Sequence, residues 1–158
     1  MNIEALKSLQ ARIRQATGPD REIDWLILSN LAMPWLADKA RSWSDDQYVD
    51  VDGKSHDPEE ICWVAWEDGK RRYEHCPHWT TYPEGLGACV ALMHERFPGC
   101  AWERSQRGSF RIYYGWLEHL QLRRAADAKP LANDCLTFID AIIAATIAQL
   151  EAKETTHV

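Results

Sequence analysis

A chain of 158 residues, 46% hydrophobic and 27% charged, has the size and composition of one folded domain, which excludes a wholly disordered protein. A formal net charge of −6 argues against broad binding to a nucleic-acid phosphate backbone, so no duplex partner is expected. The charge is uneven: residues 44–60 carry seven acids against one lysine, and residues 103–124 carry five arginines against two glutamates.

Ile3, Leu6, Leu9 and Ile13 recur at near-helical spacing and predict a helix from Asn2 to Gln15. Gly18 and Pro19 punctuate it, with Pro19 placed to open a second short helix. Asp20 and Glu22 suit the positive end of that helix, Ile23, Leu26, Ile27 and Leu31 form its stripe, and Met33-Pro34 closes it. Residues 37–60 read as irregular and acidic, with a small hairpin expected at Tyr48–Val51 turning on Asp52-Gly53. Ile61–Trp66 and Arg71–His75 predict a hairpin through Glu67-Asp68-Gly69-Lys70.

Thr81 with Glu84 three residues on reads as a capping box for a third helix, striped by Leu86, Val90, Met93 and Phe97 and stopped by Pro98-Gly99. Gly85 and Gly87 inside that start each cost about 1 kcal/mol against alanine, which implies close packing or a late start. Ala101–Gln106 and Phe110–Tyr114 predict antiparallel strands, with Phe110, Ile112 and Tyr114 on one face. A third strand is expected near Leu117–Arg124, carried by Leu120 and Leu122, followed by a turn at Asp127–Pro130. A last helix is expected from Leu131 to Lys153, burying Leu131, Cys135, Ile139, Ile142, Ile143, Ile147 and Leu150, with 154–158 frayed. Its apolar stretch Phe138–Leu150, interrupted by Asp140, reads as too short and polar to span a bilayer, so no membrane is expected. The pattern predicts an α+β single domain over 1–158, a small antiparallel meander covered by amphipathic helices after two short N-terminal ones, with 37–75 as a possible hairpin elaboration.

Three segments carry a resemblance. Leu6-Lys-Ser-Leu-Gln-Ala-Arg-Ile-Arg-Gln-Ala-Thr-Gly-Pro-Asp-Arg-Glu-Ile-Asp24 resembles the opening of phage and prophage proteins with the phage ABA sandwich domain. Tyr82-Pro-Glu-Gly-Leu-Gly-Ala-Cys-Val-Ala-Leu-Met93 is similar to their first central helix, and Lys129-Pro-Leu-Ala-Asn-Asp-Cys-Leu-Thr-Phe-Ile-Asp-Ala-Ile-Ile-Ala144 to their last. Lys129 departs from a threonine expected before Pro130, and residues 37–75 lie outside the likeness. The resemblance implies an α/β/α sandwich and a phage or prophage origin, and it brings no established activity or catalytic residues.

The five cysteines are an odd number, and Met1–Gln15 is polar and amphipathic rather than a secretory leader, so the cytoplasm of the bacterial host is the expected setting. No cofactor is expected. Eight tryptophans are many for this length, and most are expected in the core. Trp63, Trp66, Arg71, Arg72, Tyr73, His75, His78 and Trp79 interleave aromatic and basic side chains within seventeen residues. Arg104, Arg107, Arg111 and Tyr113 do so on the later hairpin. Arginine grips phosphate and rings stack on bases, so adjoining hairpins would suit a phosphate-bearing nucleotide or short single strand.

The leading expectation is a non-catalytic phage accessory protein that binds a host protein or a nucleotide-like host signal, in a counter-defence role; the acidic residues 45–60 are an alternative partner surface. A second reading is a metal-dependent hydrolase or nuclease using His75 and His78 with Cys62 or Cys100, although no paired zinc-ligand spacing is present. Cys76 beside His75 is the only adjacent pair suggesting a catalytic dyad. A third reading is an assembly factor forming a homo-oligomer that buries Trp35, Trp43 or Trp116.

Overall fold

Asn2 opens the first helix, α1 (Ile3–Gln15), by accepting the backbone N–H groups of Glu4 at 2.9 Å and Ala5 at 3.3 Å on its side-chain oxygen. The computed structural model describes residues 1–45, 53, 57, 59–115 and 124–156. Asp20 caps α2 (Arg21–Ile27) in the same way, so Pro19 precedes the cap instead of opening the helix. The apolar stripe of α2 continues into a wider π-helical turn, Leu28–Ala32, closed by the Met33 N–H on the Leu28 carbonyl at 2.6 Å. Pro34 follows, then a single turn, α3 (Leu36–Lys39).

Residues 37–44, expected to be irregular, hold the end of α3 and strand β1 (Ala40–Ser44). It pairs antiparallel with β2 (Glu60–Ala65), which pairs with β3 (Arg71–His75), giving the order β1-β2-β3. The described part of 37–75 therefore carries a three-stranded sheet of its own, the first along the chain, and its strand β1 is hidden in sequence because Ala-Arg-Ser-Trp-Ser shows no apolar alternation. The hairpin expected at Tyr48–Val51 lies outside the described residues, as does most of the acidic segment.

The third helix, α4 (Leu86–Arg96), starts later than the capping box predicts. Thr81 makes no side-chain cap; Gly85 stands at the cap, its N–H on the Thr81 carbonyl at 2.6 Å. Cys89, Leu92 and Met93 are its buried positions, with Phe97 buried just beyond. Then β4 (Ala101–Arg104), β5 (Phe110–Tyr114) and β6 (Arg124–Ala128) form the meander β4-β5-β6. Phe110, Ile112 and Tyr114 face the core as expected. The third strand, however, lies at 124–128, beginning where the expected strand ended and running into the turn expected at Asp127–Pro130; Leu120 and Leu122 lie outside the described residues. Its inward residues are Ala126 and Ala128, whose small side chains let a helix approach closely.

That helix is α5 (Asp134–Thr156), begun at Asn133, whose Oδ1 accepts the Leu136 N–H at 3.0 Å. Leu131 lies before the helix, and the expected frayed tail is helical through Thr156. From Cys135 to Ile147 nearly every residue is buried, so α5 is a central helix rather than an amphipathic cover. By length and composition it passes as a membrane span, contrary to the sequence expectation, but two thirds of that apolar window (67%) is buried among the other elements. The chain is an α+β protein with helices and two three-stranded antiparallel sheets among the described residues.

Candidate functional site

The tight turn between β2 and β3 builds the site. Gly69 takes a positive φ of 64°, and the Asp68 carboxylate accepts the Lys70 N–H at 2.9 Å, so the hairpin reverses over four residues. The Trp66 N–H reaches the Lys39 carbonyl at 2.7 Å and fastens the turn to the end of α3. On the other side, the π-helical turn and Pro34 break the helical phase so that Leu36 is buried while Trp35 stands at the surface.

The result is a groove of about 300 Å³ lined by Trp35, Lys39, Trp63, Trp66, Arg72 and the carboxylates of Glu67, Asp68 and Glu74. Trp63 is buried, whereas Trp66 is 68% and Trp35 45% exposed. The Trp35 and Trp63 rings meet edge to face, centroids 6.2 Å apart at 69°. Arg72 stands directly opposite Trp63 in the β2–β3 register, its guanidinium carbon 5.7 Å from the ring centroid. The same guanidinium donates to Asp68 at 2.7 Å. The Lys70 backbone N–H, with Arg72 adding to it, holds the Asp68 carboxyl below its ordinary range. Among the described residues, the side chains of Lys39, Glu67 and Glu74 have no hydrogen-bond or ion-pair partner.

The other sequence-predicted residues are dispersed. Arg71 is exposed and Tyr73 half-buried on β3. His75 lies 3.5 Å from Glu59, His78 lies 4.0 Å from Asp24, and Trp79 is core. Trp43 stacks on Trp25 at 5.5 Å, so of the tryptophans suggested for an oligomer interface only Trp35 is exposed among the described residues; Trp116 lies outside them.

The later hairpin does not join the groove. Arg104 and Arg111 line a separate one of about 310 Å³ with Glu103, Ser105, Ser109 and Asp127, and the two share no residue. Each arginine there is already held by a carboxylate. Arg104 binds Asp134 at 2.9 and 3.2 Å. Arg111 binds both oxygens of Asp127 and lies 3.4 Å from Tyr113, whose hydroxyl donates to Glu103 at 2.6 Å. The hydrogen bond to Asp127 above all pushes the Arg111 pKa further up. Arg107 is exposed beside the turn. A phosphate would have to displace acids to reach Arg104 or Arg111.

The described residues contain no group of three or more His, Cys, Asp or Glu side chains suited to a metal. Cys100 sits beside His94 at 3.7 Å. The Cys76 thiol is buried, and burial pushes its pKa up to about 12, so it is no partner for exposed His75.

Sequence reading therefore found Trp63, Trp66 and Arg72 but missed Trp35, Lys39, Glu67, Asp68 and Glu74 as parts of one groove. Hairpin register alone pairs Trp63 with Arg72; only the hidden strand β1 and the π-helical turn bring Lys39 and Trp35 alongside. Comparison with models of known protein families, with curated proteins and with solved structures gives no match to this chain.

Proposed function

We propose that the chain is a non-catalytic phage or prophage accessory protein that binds a host protein through the Trp35–Trp63–Trp66 groove. The observation that carries this reading is the pair of exposed indoles, Trp66 and Trp35, flanking a buried third above a polar rim. Exposed aromatic clusters of this kind supply most of the energy at protein interfaces, because a large rigid ring loses little entropy on contact. A host protein is favoured over a phosphate-bearing signal because the groove's acids outnumber its cations and Arg72 is already paired. A counter-defence role follows if that host protein belongs to a defence system.

The test is native mass spectrometry of wild-type protein and Trp66→Ala expressed in a bacterial host. The expected result is a host protein bound stoichiometrically to the wild type and lost from the variant, with unchanged far-ultraviolet circular dichroism. Retention by Trp66→Ala, or a fixed homo-oligomer with no host component, overturns the reading.

A further inference from the structure

Resting on the assignment of the groove as the partner site, we propose that the group it takes from the partner is a cation, the guanidinium of an arginine side chain. Indole faces carry negative potential and attract a cation laid over them, most strongly where a carboxylate completes the charge balance. The protein already contains one instance of this arrangement. Arg72 lies over Trp63 and donates to Asp68 at the edge of the same groove.

The rest of the groove repeats the elements without the cation. Trp35 and Trp66 offer exposed rings, and Glu67 and Glu74 offer carboxylates that have no partner among the described residues. Lys39 is the one opposing charge without a carboxylate partner there, so the open part of the groove is net negative. An incoming guanidinium finds rings and free acids, whereas an incoming phosphate meets two unneutralised carboxylates and an arginine held by Asp68.

The two ligand charges predict opposite responses to one substitution. Arg72→Ala removes a positive charge and frees both the Trp63 face and Asp68. It therefore tightens binding of a cation and weakens binding of an anion. Arg72 is half-exposed on an edge strand, so the variant keeps the fold.

The experiment titrates the peptide acetyl-Gly-Arg-Gly-amide, and separately ATP, into 15N-labelled protein while following the tryptophan indole N–H signals. Expected for the peptide are a Kd lowered about threefold or more by Arg72→Ala and raised about threefold or more by Glu67→Gln with Glu74→Gln. ATP is expected to bind no tighter than the peptide. An Arg72→Ala protein that binds the peptide equally or more weakly, or ATP binding that is tighter than peptide binding and lost in Arg72→Ala, overturns the inference. The host-protein capture separates this inference from the reading beneath it. Partner lost from Trp66→Ala but fully kept by the Glu67→Gln/Glu74→Gln protein overturns the cation alone. Partner kept by Trp66→Ala overturns the groove as partner site.

Discussion

Asp24 is a buried carboxylate on α2 whose Oδ1 accepts the Thr80 N–H at 2.9 Å, with Arg21 at 3.4 Å and His78 at 4.0 Å from Oδ2. It ties α2 to the loop after β3. Burial is the largest influence and raises its pKa, against the hydrogen bonds from Thr80 and the charge of Arg21. Asp24→Ala leaves a buried N–H unpaired and is expected to cost about 1–3 kcal/mol by urea unfolding, and Asp24→Asn, which keeps an acceptor, less. The pH dependence has a definite sign. Below the ordinary carboxylate pKa of about 3.9 the group is protonated in both states. As pH rises above that value the unfolded chain ionises first, so Asp24's contribution declines until the folded pKa is passed. Wild-type stability relative to Asp24→Asn is thus expected to fall as pH rises from about 4; a difference that grows with pH contradicts the assignment. The cysteines give a second residue-scale prediction. Cys62, Cys76, Cys89 and Cys135 are buried and Cys100 is half-buried, so native alkylation by iodoacetamide, read by peptide mass spectrometry, should modify Cys100 first.

The two glycines at the start of α4 look alike in sequence and differ in structure. A Cβ on Gly85 would lie 2.3 Å from the His78 carbonyl oxygen and 2.8 Å from that of Thr81, both backbone atoms that cannot swing aside. Gly85→Ala is expected to destabilise by about 3 kcal/mol, the upper end of the overpacking range. A Cβ on Gly87 meets nothing within 4 Å, and Gly87→Ala should stabilise by about 0.5–1 kcal/mol by removing backbone freedom from the unfolded chain. Thermal melts of the pair check both signs. The contrast shows where sequence reading stops. Periodicity placed α1, the β2–β3 hairpin and β5, because each carries its own apolar spacing, but for α5 it gave one stripe where nearly every residue from Cys135 to Ile147 is buried. It missed β1 and β6, whose residues apart from Trp43 are small or polar and become strands through pairing with a neighbour. The groove was half legible for the same reason: its aromatics were visible, but the elements that assemble them are set by tertiary contacts.

Whether the two sheets belong to one cooperative unit turns on α5. Its Asp140 receives Gln10 at 2.8 Å and Arg14 at 3.2 Å from α1. Its Phe138 stacks on Phe110 of the meander at 4.8 Å and lies 5.1 Å from Trp102, while Tyr114 donates to the Ala145 carbonyl at 3.1 Å. At its start, the Asn133 amide donates to the Thr80 carbonyl at 3.1 Å, and Thr80 is held by Asp24 of α2. One helix therefore joins the meander, α1 and the loop that leaves the first sheet, and a buried polar link that is lost in one half leaves unpaired groups in the other. Phe138→Ala should then cost about 3–5 kcal/mol for the whole molecule, although the two rings it packs against, Phe110 and Trp102, both belong to the meander. The check is urea unfolding of Phe138→Ala in a Trp102→Phe/Trp116→Phe background. Tryptophan emission then reports the six remaining indoles, Trp25, Trp35, Trp43, Trp63, Trp66 and Trp79, all in or around the sheet β1-β2-β3, and far-ultraviolet circular dichroism reports all helices. One domain requires both midpoints to fall together, because a cooperative unit has a single transition whatever the probe. A dichroism midpoint that falls while the emission midpoint stays in place would mean that the sheet carrying the tryptophan groove folds independently of α5.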